Sequence, residues 1–319
     1  VRVLVTGSAG FVGRRLMPAL VRAGHQALGI DRRARRDPWS VRADLRGWRA
    51  SAAGQPPFDA CVHLASDVGG FLHNAAATEL IAYERELLEA VTRLCHQHGC
   101  RRVVYTSSIA VFESSGAFTA GPIPADDQRT PYARAKAAGE RLVARAFDDF
   151  AILRPTNIFG AGQPTVGDVP GESHVIPDLL RKLRSPLPLE LLGDGTQTRN
   201  FIHVDDVVAF VLTALTSNAR GWFNLRSDIQ LSIDELAAAL MQATGRWRAV
   251  RHRPEFMAYE PARVRAFDLS PALALGWRPR VADLVAGLGQ LSAADHPRAS
   301  RKPQRKAPDP VAQDRAAGP

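Results

Sequence analysis

Through the first half of the chain, short apolar runs alternate with longer amphipathic stretches. Residues 2–5, 26–30, 60–64, 102–106 and 150–153 have strand length and are dominated by Val, Ile, Leu and Ala. Between them, residues 11–23, 78–98 and 131–147 repeat their apolar positions every three to four residues, the spacing of a helix with one buried face. Strand, helix and strand repeated in this order predict a parallel sheet with right-handed crossovers and helices on both faces, a doubly wound α/β fold. Ligands of such sheets bind beyond the carboxyl ends of the strands, near the point where strand order reverses.

The rhythm breaks after Arg154-Pro155. Residues 160–171 are rich in Gly and Pro, which marks a loop or lobe boundary. Helices are predicted at 175–183, 205–215 and 232–243, with the turn Gly193-Asp194-Gly195 between the first two. The helix at 205–215 is expected to return to the sheet, and the next to begin a smaller α/β lobe. Ser232 and Glu235 form a capping box at its start. The expected division is a Rossmann domain of residues 1–160 plus about 201–225, and a substrate lobe of about 161–200 plus 226–291.

The chemistry starts at the first strand-to-helix turn, Gly7-Ser8-Ala9-Gly10-Phe11-Val12-Gly13. Gly7 permits the tight turn, Gly10 lets backbone approach a pyrophosphate, and Gly13 lets the helix pack closely on the strand. The helix start at Phe11 and Val12 offers unbonded N–H groups to the phosphates. Asp31 stands at the end of the second strand, where a carboxylate accepts both hydroxyls of a ribose and repels a 2′-phosphate. NAD is therefore the expected cofactor, with NADP as the second reading because Arg32 and Arg33 follow. Asp44-Leu45 suits the adenine edge, although Asp44 reads equally as a surface carboxylate.

Tyr132 and Lys136 are four residues apart in a helical stretch, so phenol and ammonium share one face. A phenol, with an ordinary pKa of about 10, is a poor base near pH 7; an adjacent ammonium and an oxidised nicotinamide both favour its phenolate. The fourth long strand ends in Thr106-Ser107-Ser108, and strand ends face the nicotinamide. Ser108 is preferred over Ser107 as the hydroxyl that holds the reacting oxygen.

These elements resemble the extended short-chain dehydrogenase/reductase family, in its nucleotide-sugar epimerase/dehydratase group, over about residues 1–291. The marks are T-G-x-x-G-F-V-G at 6–13, Asp31, His63-Leu64-Ala65, T-S-S-I-A-V-F at 106–112, Tyr132 with Lys136, L-R-P-T-N-I-F-G at 153–160, G-D-G-T-Q-T-R-N-F-I-H-V-D-D at 193–206 and L-G-W-R-P at 275–279. The resemblance implies that Tyr132 is general base and acid, that Lys136 holds the nicotinamide ribose, and that Ser108 bonds the sugar oxygen. It implies that Leu64, Ala65, Ser66, Thr106 and Pro155 complete the cofactor's surroundings. Asn157 and Arg199 fall at positions that hold a substrate pyrophosphate, and His174 with Val175 at positions near the sugar; the plainer readings are a loop-pinning amide, a surface Arg and a helix cap.

The substrate implied is a nucleotide-diphosphate sugar, the assembly a homodimer. Asp67-Val68-Gly69-Gly70-Phe71 is similar to a glycine-pair loop of GDP-sugar epimerases and reductases, yet Ala110 stands where those enzymes carry a cysteine acid. Ile109 and Ala110 replace the Asp-Glu pair of the 4,6-dehydratases. Phe112, Asn200 and His203 replace a usual Tyr, Asp and Tyr, and a second pyrophosphate Arg has no clean match beyond Arg253 or Arg263. What remains is chemistry needing Tyr132 and NAD alone: a 4-epimerase that keeps its NADH, or alternatively a reductase of a keto-sugar or another small ketone. A non-catalytic dinucleotide sensor is the third reading, disfavoured because Tyr132 and Lys136 are both kept.

Composition refines this little. Of 319 residues, 45% are hydrophobic and 23% charged, enough for a two-lobed core. No stretch approaches the roughly 18 apolar residues of a membrane span, and no secretory leader precedes the first strand, so a cytoplasmic enzyme is expected. The net charge of +9 is partly carried by a Pro- and Ala-rich tail, 292–319, with six basic against three acidic residues, expected to be disordered. The remaining basic residues are scattered, which disfavours nucleic acid as a partner. Cys61, Cys95 and Cys100 show no metal-ligand spacing, and Cys61 reads as a buried thiol.

Overall fold

The computed structural model describes residues 1–34, 39–48, 57–70, 74, 78–113, 118–123, 128–165, 171–259 and 267–289. The tail from 290 onward, Phe71 and Arg263 lie outside the described residues.

Seven parallel strands form the main sheet: β1 (Arg2–Thr6), β2 (Gln26–Asp31), β3 (Ser40–Arg42), β4 (Ala60–His63), β5 (Arg102–Thr106), β6 (Asp149–Pro155) and β10 (Gly221–Leu225), in the order β10-β6-β5-β4-β1-β2-β3. The predicted parallel α/β sheet is therefore present, and each expected strand is found within two residues. Strand order runs outward from β1 to β3, then resumes at β4 on the other side of β1, which places the switch point between β1 and β4. Val3, Val5, Val62 and Val104 are fully buried, as strands covered on both faces require.

Helix α1 (Gly13–Arg22) and helix α5 (Val204–Thr216) pack on one face, closing a core of Val3, Val5, Leu16, Leu20, Val207, Phe210 and Val211. Helices α2 (Leu80–Gln97) and α3 (Pro131–Ala146) cover the other, over Leu4, Cys61, Val103, Tyr105 and Ile152. Cys61, Cys95 and Cys100 are all buried free thiols.

The remaining elements were only partly legible as sequence. Strands β7 (Asn157–Phe159), β9 (Thr198–His203) and β11 (Gln230–Ser232) make a small sheet in the order β11-β9-β7, and β8 (Leu189–Leu192) pairs with β12 (Val250–Arg253). With helices α4 (Val175–Lys182) and α6 (Ile233–Thr244) they enclose a separate core of Phe159, Leu179, Leu191, Phe201, Leu236 and Leu240. The capping box is made as expected, Ser232 accepting from the Glu235 N–H and Glu235 from the Ser232 N–H. Two short helices, α7 (Ser270–Ala274) and α8 (Leu284–Leu288), complete the described chain. Between them Trp277 donates from Nε1 to the Asp206 carbonyl at 3.0 Å, while the Asp206 carboxylate accepts from the N–H groups of Arg280 and Val281. The L-G-W-R-P motif thus ties the end of the chain to α5.

One buried ion pair sits beneath the site. Arg154 is fully buried at the end of β6; its Nε donates to Glu140 Oε1 at 2.8 Å, and its other nitrogens reach the carbonyls of Thr119 and Gly121. Removing one member strands a charge away from water, which is far costlier than losing an exposed pair. Glu140→Ala is expected to lower unfolding stability by about 3–5 kcal/mol, read from the urea midpoint; a loss below about 1 kcal/mol would show that water reaches the guanidinium.

Candidate active site

The carboxyl ends of β1, β2, β4, β5 and β6 bring the predicted residues to one edge of the sheet. At the first of these, Gly7 has φ of +74°, and a Cβ there would lie 2.7 Å from the Ala65 nitrogen. A Cβ on Gly13 would lie 2.3 Å from the Gly7 carbonyl oxygen. Only hydrogen fits at either position, so the loop is pressed against the start of the segment Leu64–Ala65–Ser66. The N–H groups of Phe11, Val12 and Gly13 meet no acceptor among the described residues. A phosphate would satisfy them, and the positive end of the helix favours its charge. Asp31 is held at the rim of this cradle, accepting from the Ala9 N–H at 3.2 Å and the Arg33 N–H at 2.7 Å. The residues present fit a dinucleotide.

Farther along, Asp44 is engaged by Arg46, which donates to both carboxylate oxygens, and this holds the carboxyl below its ordinary range. Arg46 and Arg32 both lie over the ring of Tyr83. Arg32 is thereby placed against an aromatic face as well as beside Asp31. Leu45 is buried in the core.

Tyr132 owes its place to the start of α3. Thr130 caps the helix, its hydroxyl accepting from the Ala133 N–H at 3.2 Å, and Pro131 occupies the first turn, where its missing N–H costs nothing. Glu113 braces the cap by accepting from the N–H groups of Arg129 and Thr130. Tyr132 is half-buried, and its hydroxyl has no hydrogen-bond partner among the described residues. One turn on, Lys136 is buried; its Nζ donates to Glu84 Oε1 at 2.7 Å and to the Thr106 carbonyl at 3.3 Å.

The two candidate serines differ. Ser107 is buried and donates to Glu140 Oε1 at 2.6 Å, so its hydroxyl is committed to the ion pair with Arg154. Ser108 caps the 3₁₀ turn Ile109–Phe112, its oxygen accepting from the Ala110 N–H at 3.2 Å. That leaves the Ser108 proton free to be donated.

On the substrate side, Asn157 opens β7 and donates from Nδ2 to the Asn200 carbonyl at 2.9 Å, next to Arg199 in β9. Arg199 donates to the Thr198 carbonyl. His174 is the N-cap residue of α4, its carbonyl accepting from the Asp178 N–H at 3.0 Å, although its side chain makes no capping bond. The Gly69-Gly70 pair reaches this element: the Gly70 N–H donates to the Glu172 carbonyl at 2.6 Å, and a Cβ on Gly70 would lie 2.0 Å from the Ser173 oxygen. Val175 packs on the small-lobe core.

Sequence reasoning missed the polar cluster behind Lys136. Glu84, buried on α2, accepts from Lys136, from Tyr105 Oη at 2.9 Å and from Ser66 Oγ at 2.8 Å. Burial pushes the Glu84 carboxyl up, but Lys136 and His63 outweigh it and hold it below its ordinary range. His63 is fully buried, bonded through Nδ1 to the Thr6 hydroxyl at 2.6 Å and stacked on Tyr105. Burial lowers its pKa to about 4, against an opposing pull from Glu84. A signal did exist: Glu84 interrupts the apolar face formed by Leu80, Leu87, Leu88 and Val91, where a charge needs a buried partner.

The family model of the NAD dependent epimerase/dehydratase family matches residues 3–225. A UDP-glucose 4-epimerase of Mycolicibacterium smegmatis is 30% identical, the alignment covering 91% of this chain and 96% of that protein. A dTDP-4-dehydro-6-deoxy-D-allose reductase of Streptomyces bikiniensis is also 30% identical, covering 82% of this chain and 87% of that protein. A solved epimerase from Methanothermobacter thermautotrophicus has the same fold, with a TM-score of 0.73 at 22% identity over 91% of this chain and 90% of that one. The chain belongs to the NAD-dependent epimerase/dehydratase family, and it is an NAD-dependent enzyme of the extended short-chain dehydrogenase/reductase group. Among the described residues no helix is long and apolar enough to cross a membrane.

The neutral His63 has a consequence for stability. Between about pH 6.5 and pH 4 the unfolded chain takes up a proton on this residue that the folded core refuses, so stability falls as pH drops through that window. The expected contribution is about 3 kcal/mol once pH is below both values. Urea unfolding at a series of pH values checks it: in His63→Asn, which cannot be protonated, that share of the acid sensitivity should be absent.

Proposed function

We propose that this member of the NAD-dependent epimerase/dehydratase family is an epimerase of a nucleotide-diphosphate sugar, acting at C4 through a transient keto-sugar with NADH retained between half-reactions. One observation carries the reading. Of the side chains that follow β5, Ser108 can donate a proton while Ile109 and Ala110, which come next, have none to move, and Tyr132 stands half-buried at the start of α3 with no hydroxyl partner among the described residues. Dehydration and epimerisation beside a ketone each need a further acid or base there; oxidation and reduction of one carbinol do not. The 30% identity to a UDP-glucose 4-epimerase supports the same reading.

Tyr132, as phenolate, takes the proton from the sugar hydroxyl, and the Ser108 O–H donates to the same oxygen. When bound, NAD supplies the two-electron oxidation of that carbon and its later reduction from the other face. Tyr132 then returns its proton to the oxygen. Lys136 favours the phenolate and holds the nicotinamide ribose. Gly7, Gly10, Phe11, Val12 and Gly13 receive the cofactor's pyrophosphate, Asp31 its adenosine ribose with Arg32 alongside, and Asp44 with Leu45 the adenine edge. Leu64, Ala65, Ser66, Thr106 and Pro155 line the way to the nicotinamide. Asn157, His174, Val175 and Arg199 hold the sugar nucleotide, the guanidinium suiting a diphosphate by its fork of donors.

A second reading, reduction of a nucleotide-linked keto-sugar, is favoured by the Streptomyces relative, which matches at the same identity. It uses the same residues but must exchange its cofactor every turnover.

Incubation with UDP-, dTDP- and GDP-sugars, followed by NMR, separates the two. Interconversion of 4-epimers without added NAD is the expected result; release of NADH in proportion to sugar consumed, with no epimer formed, would overturn the epimerase reading. Tyr132→Phe should lower turnover by about 10²–10⁴-fold, the usual share of a general acid–base group.

A further inference from the structure

Glu84 has no part in the chemistry just described, yet it is a charge buried beside it. It lies in the second turn of α2, facing the sheet, and its side chain and that of Lys136 are each only 4% exposed. A buried ion pair is often no more stabilising than apolar side chains of the same volume. Fold stability alone therefore gives no reason to bury an ion pair here in place of apolar side chains, and position and charge remain.

Position comes first. Lys136 is a long, flexible side chain with three protons to donate. One goes to Glu84 Oε1 and one to the Thr106 carbonyl, which leaves one N–H of fixed direction. Glu84 is fixed in turn by Tyr105 Oη on the same oxygen and by Ser66 Oγ on the other. Ser66 belongs to the segment facing the glycine loop, and Thr106 is the last residue of β5. The carboxylate thus ties α2, β5, α3 and the cofactor-side segment after β4 to a single ammonium.

Charge comes second. An ammonium paired with a carboxylate projects a weaker field than a bare one, so the phenol one turn away is less strongly drawn toward phenolate. Among the described residues, the charged or titratable groups facing this point are His63 from β4, Tyr105 from β5, Lys136, Glu140 and Tyr132 from α3, and Glu84 from α2. His63 is held neutral by burial, and Glu140 is neutralised by Arg154. Glu84 is then the negative charge that balances Lys136.

We propose that Glu84 is a positioning residue of this active site: it fixes Lys136 beside Tyr132 and, through its negative charge, sets the pH at which the Tyr132 phenol gives up its proton. The proposal rests on the acid–base reading of Tyr132 but not on the identity of the sugar.

The test needs no substrate. The chain has four tyrosines, and burial pushes the phenols of Tyr83 and Tyr105 up, so neither is the first to ionise. Phenolate absorbance is recorded against pH for the NAD-loaded protein, and the Tyr132 component is the one missing in Tyr132→Phe. In Glu84→Gln, an isostere that keeps the hydrogen-bonding shape, that component should move to lower pH by about one unit, the size expected for one charge several ångströms away. Glu84→Asp restores the charge and should move it back toward the original position. The acid limb of the pH–turnover profile should follow the same order on any substrate that is turned over. A Glu84→Gln component that coincides with that of the unaltered protein, or a Glu84→Asp component that tracks Glu84→Gln, overturns the proposal. If Tyr132→Phe keeps its turnover while the absorbance shift is seen, the acid–base reading fails and the electrostatic role of Glu84 stands.

Discussion

Burial of one ammonium constrains the catalytic half of this molecule. A charge taken out of water needs a partner close by. Lys136 finds it in Glu84, which also accepts from Tyr105 Oη and Ser66 Oγ, so that one carboxylate joins α2, β5, α3 and the segment after β4. The same rule recurs one layer away, where Arg154 and Glu140 neutralise each other beneath Ser107. Two compensated pairs lie under one sheet edge, and among the described residues the Tyr132 hydroxyl has no hydrogen-bond partner.

The cofactor side is governed by space. At Gly7 and Gly13 the backbone comes so close to its neighbours that no Cβ fits, and the N–H groups of Phe11, Val12 and Gly13 meet no acceptor among the described residues. On the substrate side, the Gly69-Gly70 pair performs the same service, letting the loop after β4 rest on the segment that leads into α4. The main sheet and the small lobe therefore touch through backbone as well as side chains.

Much of this could be read before any coordinates. The alternation of strand-length and helix-length segments predicted the parallel sheet, since strands covered on both faces read as unbroken apolar runs and helices as apolar positions every three to four residues. Tyr132 with Lys136 and the glycine loop were equally plain, because each depends on short spacing within one element. The small sheets of the second lobe were not, since strands of three or four residues carry too few positions to show a period. The choice between Ser107 and Ser108 also lay beyond spacing: both follow β5, and only the packing shows that Ser107 is bound to Glu140.

What the sequence determined by itself is local: helix starts at Thr130 and Ser232, a turn that only glycine can make, and a phenol and an ammonium one turn apart. What only the tertiary structure decided is which distant groups meet: Glu84 with Lys136 across 52 residues, Arg154 with Thr119 across 35, Trp277 with Asp206 across 71. The reason is physical. Spacing along the chain specifies geometry within one element, whereas the partner of a buried charge is set by which elements the apolar core brings face to face.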